Sequence, residues 1–413
     1  MKGKLILLFV FIAALVASYL IYQFYGYNAI WKLWHIRYME PHFADTRAIT
    51  SGSEAYALGY DPLFNNVRDP WHRPMNLSRL WNTLFYFRIN QSHTTLLGSI
   101  FIGSFLLSPF IFIKKLDTLT ACVLSLLFIS PAVMFGIERA TPDLFLFFIL
   151  SLGIRVGYSS AIAGLCFIIF AGFLKLFPIF GIGLILKAKK SQFWIILAIT
   201  CLIFLIYLGL TLPDVKQMIQ VTPRGTDVSY GANVLLLRLE QFVKNPHYLK
   251  IIKYWLPTVF DWVLGGIFLV SLSFMLKYPG ERESTPEKYQ YIDAFRVGAG
   301  IYICTFIFGN NWDYRLMFLI FTIPQIVAWL KQRKPPYFSV AALTLSATIL
   351  SFWYLIIRAS INMYLAFVLD ELCNWLVFSG LVYLFISSLP HWLKADIYQI
   401  FVAFRQKIQA LVN

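Results

Sequence analysis

The residues with the most capacity for chemistry sit in a few polar islands of an otherwise apolar chain. The largest runs from Trp31 to Trp81. It holds Pro41-His42-Phe43-Ala44-Asp45-Thr46-Arg47, Gly59-Tyr60-Asp61-Pro62 and Asp69-Pro70-Trp71-His72-Arg73-Pro74-Met75-Asn76. A segment so rich in Asp, Arg, Asn and Pro cannot face hydrocarbon, so it lies on one side of a bilayer or lines a wet cavity. Within it, Asp45 follows Phe43-Ala44 and stands two residues before Arg47. A carboxylate there can take a proton from a sugar or lipid hydroxyl as a general base. A surface pair with Arg47, or a charge at a helix N-terminus, accounts for the same residues without chemistry.

Three smaller islands offer cations and hydrogen-bond donors. Glu138-Arg139-Ala140-Thr141-Pro142-Asp143 ends one helix and starts the next, since Thr-Pro favours a helix start. Capping explains Thr141 and Asp143 but not Arg139, whose guanidinium suits a phosphate. Lys175 ends an apolar run just before Phe177-Pro178. A desolvated lysine calls for an anion such as phosphate, unless its stem snorkels to the interface. Gly309-Asn310-Asn311-Trp312-Asp313-Tyr314-Arg315 mixes donors, a carboxylate and two aromatics, a set suited to sugars through stacking and hydroxyl hydrogen bonds. Aromatic-belt anchoring explains Trp312 and Tyr314 equally well. Charges at the membrane edge cost about 2.5 to 3.5 kcal/mol each on insertion scales, which makes every one of them a functional candidate.

The elements that carry these islands are read from composition. Of 413 residues, 59% are hydrophobic and only 13% charged, against roughly 25% charged in soluble domains, so the chain reads as an all-α polytopic membrane protein. The formal net charge of +15 comes from short basic clusters between apolar runs. That pattern sets orientation and implies no nucleic-acid partner. Cys122, Cys166, Cys201, Cys304 and Cys373 show neither paired nor metal-like spacing, so no disulfide, metal or cofactor is implied. There is no P-loop, Gly-rich dinucleotide turn, HExxH or Gly-x-Ser-x-Gly element, which leaves nucleotide-driven chemistry without machinery.

Lys2 and Lys4 before an apolar run from Leu5 to about Tyr22 predict an uncleaved signal-anchor with a cytoplasmic N-terminus. Residues 23–94 then form a long outward loop and residues 213–254 a second one. The Glu281-Arg282-Glu283 segment falls inside, and Arg224, Asp227, Asp370 and Glu371 fall on outward connections. Counting each apolar run once gives about twelve crossings. In that register Lys114-Lys115, Lys187 to Lys190 and Lys331 to Lys334 share a side with Lys2 and Lys4. The runs Leu144 to Ile154 and Ala161 to Leu174 fall short of the roughly 20 residues a lipid-exposed helix needs, so their outer ends are expected in a protein-lined cleft. Residues 1–389 form the membrane domain, and residues 390–413 a cytoplasmic amphipathic tail.

Glu138-Arg139-Ala140-Thr141-Pro142-Asp143-Leu144, then Ala163-Gly164, then Lys175-Leu176-Phe177-Pro178, resembles the motif series of polyprenol-phosphate-sugar-dependent mannosyltransferases. This chain carries Ala140-Thr141-Pro142 where that family shows Gly-Asn-x. The wider resemblance is to the GT-C glycosyltransferase architecture, whose first extracytoplasmic loop carries the catalytic aspartate at the position matched by Asp45. The resemblance implies a GT-C-like bundle in a bacterial plasma (inner) membrane with its active site facing outward. It implies transfer of a mannose-like hexose or a pentose from a polyprenyl-phosphate donor to a glycan or glycolipid acceptor, with membrane lipid around the site. Asp45 is then the base, and Arg139, Lys175, Arg315 and Arg47 hold the donor phosphate. Glu138, Asp143, Asn310, Asn311, Trp312, Asp313 and Tyr314 are left to contact substrate. Two other classes compete. A transporter or flippase of a lipid-linked saccharide predicts midplane charges and two related halves, whereas a non-catalytic assembly subunit tolerates Asp45→Asn.

Overall fold

In a bilayer each backbone N–H and C=O must be satisfied within its own segment, so long apolar runs fold as helices. The computed structural model describes residues 2–243, 245–277, 291–333 and 335–412. Lys334 and the Glu281-Arg282-Glu283 segment lie outside the described residues. Within them, regular structure is helical except for one pair of two-residue strands. Six helices are long and apolar enough to cross a membrane: Lys2–Tyr25, Gln91–Phe112, Lys190–Val221, His247–Leu276, Asp313–Gln332 and Met363–Ser387. Two bent pairs, Thr118–Phe128 with Pro131–Arg139 and Tyr337–Phe352 with Tyr354–Ser360, bring the number to eight if each is one span.

The tracing of about twelve crossings counts apolar runs that the chain breaks into shorter pieces. Pro142–Gly157, Ala161–Leu174 and a 3-10 segment Phe177–Lys187 each fall below spanning length. They pack on one another and are largely buried by protein. At that interface Gly153 and Gly164 approach so closely that a Cβ on Gly164 would lie 2.6 Å from the Gly153 carbonyl oxygen. The second polar loop is also shorter than residues 213–254. Helix Lys190–Val221 runs through Pro213, and after residues 222–233 the chain is helical again over Val234–Phe242.

Basic turns gather at one end of the molecule. Gly3 packs against the backbone of Leu116 and Asp117, and Lys331 Nζ lies 2.6 Å from Asp117 Oδ1. Lys114 covers the Tyr158 ring at 4.3 Å, while Lys187 Nζ donates to the carbonyls of Gly157 and Tyr158, both at 2.8 Å. The tail helix His391–Val412 joins this end through Lys190 Nζ and Asp396 Oδ1, 2.7 Å apart.

The polar islands gather at the other end. Residues 27–94 fold into short helices, Tyr27–Leu33, Ala44–Ala57 and a 3-10 segment Arg79–Phe87. Helix Ala44–Ala57 is tied down by Thr50 to Thr94 (Oγ1 to Oγ1, 2.7 Å) and by Ser53 Oγ donating to the Ile89 carbonyl at 2.6 Å. Strands Ser229–Tyr230 and Asn311–Trp312 pair antiparallel, with Ser229 opposite Trp312 and Tyr230 opposite Asn311. Gly231, at φ 141°, makes the turn beside them and lies so close to the Gly309 carbonyl that no side chain fits.

Candidate active site

Asp45 stands in the first turn of helix Ala44–Ala57, where the helix N-terminus favours a negative charge. Its backbone position is set from both sides. Arg73 Nη2 donates to the Ala44 carbonyl at 2.8 Å, and Thr46 Oγ1 donates to the Ala140 carbonyl at 2.5 Å. Arg73 is itself held by a two-point pair with Asp69, at 3.1 and 3.0 Å, and covers the Trp71 ring at 4.5 Å. The half-buried carboxylate of Asp45 makes no hydrogen bond or ion pair to any described residue.

This carboxylate opens on a cavity of about 540 Å³ that also receives Arg139, Lys175, Arg315, Trp312 and Tyr314. The last turn before Pro142 brings Arg139 there, because Ala140 adopts a left-handed conformation with φ 43° and reverses the chain. Arg139 Nε lies 2.9 Å from Glu138 Oε2, and its Nη2 donates to the Arg37 carbonyl at 3.3 Å. Lys175 reaches the cavity because it caps the C-terminus of the short helix Ala161–Leu174.

Asp143 lies completely buried behind the cavity wall. Its Oδ1 accepts from Lys175 Nζ at 2.5 Å and its Oδ2 from Arg315 Nε at 3.2 Å. Arg315 Nη1 also donates to Asn311 Oδ1 at 2.6 Å. Both cations lean on the face of Phe177, Arg315 at 4.9 Å and Lys175 at 5.7 Å. Burial pushes the Lys175 ammonium below its ordinary pKa, with Asp143 opposing the shift and Arg315 adding to it. Two cations thus share one carboxylate, which leaves a positive surplus on the wall facing Asp45 and room for one further anion.

The same wall continues into an apolar groove of about 580 Å³, lined by Phe173, Leu176, Phe177, Met218, Ile219 and Phe308 among others. Lys175 and Arg315 border both spaces. An amphiphile with an apolar tail and an anionic head therefore finds the tail's groove and the head's cations in continuity.

Several residues expected to meet substrate serve the frame instead. Arg47 turns away from the cavity, donating to the His42 carbonyl at 3.4 Å and to Gln91 Oε1 at 3.2 Å. Glu138 is fully buried, accepts from the Met39 backbone N–H at 2.8 Å and neutralises Arg139. Asp143 is a counter-ion beneath the surface. Asn310 clamps Gly225 through both its amide atoms, at 2.9 and 2.6 Å, and Asn311 donates to the Thr305 carbonyl at 2.7 Å. Asp313 is 4% exposed; its side chain makes no hydrogen bond or ion pair to any described residue, and its backbone N–H donates to the Val228 carbonyl at 3.0 Å. Asp370 and Glu371 do not lie on a connection. They are buried inside helix Met363–Ser387, where both pair with Arg238, at 2.7 and 2.9 Å.

Trp71 and Arg73 were not singled out from the sequence, yet both line the cavity. The available signal was the spacing from Asp69 to Arg73, which sets a salt bridge across one tight turn. No family model matches this chain, and no curated protein matches it in sequence.

Proposed function

We propose that this chain is a membrane glycosyltransferase of GT-C architecture that moves a sugar from a polyprenyl-phosphate donor to an acceptor hydroxyl on the extracytoplasmic face. The observation that carries the reading is the cavity in which the unpartnered Asp45 carboxylate faces Arg139, Lys175 and Arg315, continuous with an apolar groove. In this reading the polyprenyl tail lies in the groove and the phosphate sits against Lys175 and Arg315, with Arg139 across the cavity. Asp45 takes the proton from the acceptor hydroxyl as its oxygen bonds to the anomeric carbon. The bond from that carbon to the phosphate oxygen breaks, and the cations hold the charge that develops on the leaving polyprenyl phosphate. Trp71 and Trp312 offer ring faces to the sugar.

The finer topology belongs to the same proposal. The short helices between Pro142 and Lys187 count as partial crossings that recess the site, and the basic end lies in the cytoplasm.

The transporter reading draws on one observation, the charge cluster Arg238, Asp370 and Glu371 inside the helical body. Those side chains satisfy one another and line neither the Asp45 cavity nor the groove, so they frame the fold and offer no path. The test is incubation of purified protein with a panel of radiolabelled polyprenyl-phosphate sugars and extracted membrane acceptors. One donor yields labelled product, and Asp45→Asn reduces turnover at least a thousandfold while the protein still purifies as a folded species. Full turnover in the variant removes Asp45 from the mechanism, and no transfer from any donor removes the reading.

A further inference from the structure

A third cavity, of about 560 Å³, adjoins the Asp45 cavity, and its chemistry differs from both of the others. Arg37, Arg139, Arg224 and Arg358 line it, with Asp227 as the carboxylate on its wall. Phe135, Arg139 and Trp312 belong to both this cavity and the one containing Asp45. Two of the guanidinium groups are already engaged, Arg358 with Asp227 at 3.2 Å and Arg139 with the buried Glu138. The side chains of Arg37 and Arg224 are exposed and make no hydrogen bond or ion pair to any described residue. Four guanidinium groups against these two carboxylates leave a surplus of positive charge in a concave site. Arginine forks match the oxygen geometry of a phosphate ester, binding it in bidentate fashion.

We propose that this cavity is a second anion site, which binds a phosphate ester carried by the acceptor between Arg37, Arg224 and Arg358 and so presents the acceptor's hydroxyl to Asp45. Its role as an acceptor site rests on the proposed sugar transfer, whereas anion binding there does not. Lys175 and Arg315 border the apolar groove and share Asp143, which makes them the donor's cations. Arg37 and Arg224 are the pair in the third cavity whose side chains no described residue engages. Arg224 also borders the groove, so the two anion sites meet at that residue.

The test uses the full chain in detergent and three probes, inorganic phosphate, dioctanoyl phosphatidic acid and uncharged dioctanoylglycerol, each titrated calorimetrically. Both phosphate probes bind. The titrations are run in the Lys175→Met background, which removes the donor-side cation; there the Arg37→Gln/Arg224→Gln double variant weakens both at least tenfold, and Arg37→Lys/Arg224→Lys retains part of the affinity. Phosphatidic acid binding more than tenfold tighter than phosphate identifies a lipid headgroup as the acceptor's anion, and equal affinities identify a soluble ester; either result supports the site. Unchanged affinity in the double variant overturns it, as do equal affinity for dioctanoylglycerol or no phosphate binding in the Lys175→Met background. Sugar transfer is measured separately, so failure of transfer with intact, Arg224-dependent phosphate binding refutes the enzyme and leaves the anion site standing.

Discussion

Asp143 decides the charge state of the candidate site although it lines neither the Asp45 cavity nor the groove. It is completely buried and answers both Lys175 and Arg315, so removing its charge strands two cations in a low-dielectric wall. Asp143→Asn is expected to destabilise the fold by about 3 to 5 kcal/mol, measured by denaturant unfolding in detergent micelles. The double variant Asp143→Asn/Lys175→Met is expected to recover part of that loss, because one stranded charge goes with it.

Lys175 carries a prediction of its own at this scale. Its pKa is lowered by burial, and the ammonium is the form that holds a phosphate. Function is therefore intact below the lowered pKa and lost as pH rises through it. The alkaline limb of kcat/KM is expected to begin below the ordinary lysine value of about 10.4 and to move to higher pH in Lys175→Arg, whose guanidinium stays charged. A limb that does not move with this substitution assigns the titration to another group.

At the scale of elements, three pieces of chain meet where Asp45 is positioned: helix Thr94–Phe112, the reversal at Ala140, and Phe43 just before helix Ala44–Ala57. Gly98 makes the meeting possible. A Cβ there would lie 2.7 Å from the Phe43 ring and 3.0 Å from the Ala140 Cβ. Gly98→Ala is expected to cost about 1 to 3 kcal/mol by overpacking. It is also expected to lower kcat more than donor affinity, because the displaced helix carries Asp45 while Lys175 and Arg315 stand on other elements. Thermal unfolding and steady-state kinetics on the same preparation check both parts. The two-strand pairing of residues 229–230 with residues 311–312 acts similarly for Arg315, since it fixes Asn311, which in turn holds the guanidinium.

At the scale of the whole molecule, charge is segregated between the two ends. The basic turns at Lys2 to Lys4, Lys114-Lys115, Lys187 to Lys190 and Lys331 converge with the tail helix, and the polar islands converge at the far end. The positive-inside bias then predicts that the cavities face away from the cytoplasm. In a cysteine-free background, His72→Cys is expected to react with a membrane-impermeant maleimide on intact cells. Lys189→Cys is expected to react only after permeabilisation. Labelling of position 189 from outside inverts the topology.

The membrane character, the helical class and the polar islands were legible in the sequence by itself, because hydrocarbon excludes charge and each long apolar run must close its own hydrogen bonds. Four of the ionisable groups that line the cavity, Asp45, Arg139, Lys175 and Arg315, were legible as charges at helix ends, whereas Arg73 was not singled out. Only the tertiary structure decided which polar residues are structural. Arg47 points to His42 and Gln91, Glu138 caps Met39, Asn310 and Asn311 clamp loops, and Asp370 with Glu371 closes on Arg238. Each of those outcomes depends on a partner distant in sequence or on a side-chain direction, and neither leaves a trace in local spacing. Which apolar runs stay short was likewise decided by packing, since an apolar run buried by neighbouring helices needs neither the length nor the continuity of one that faces lipid.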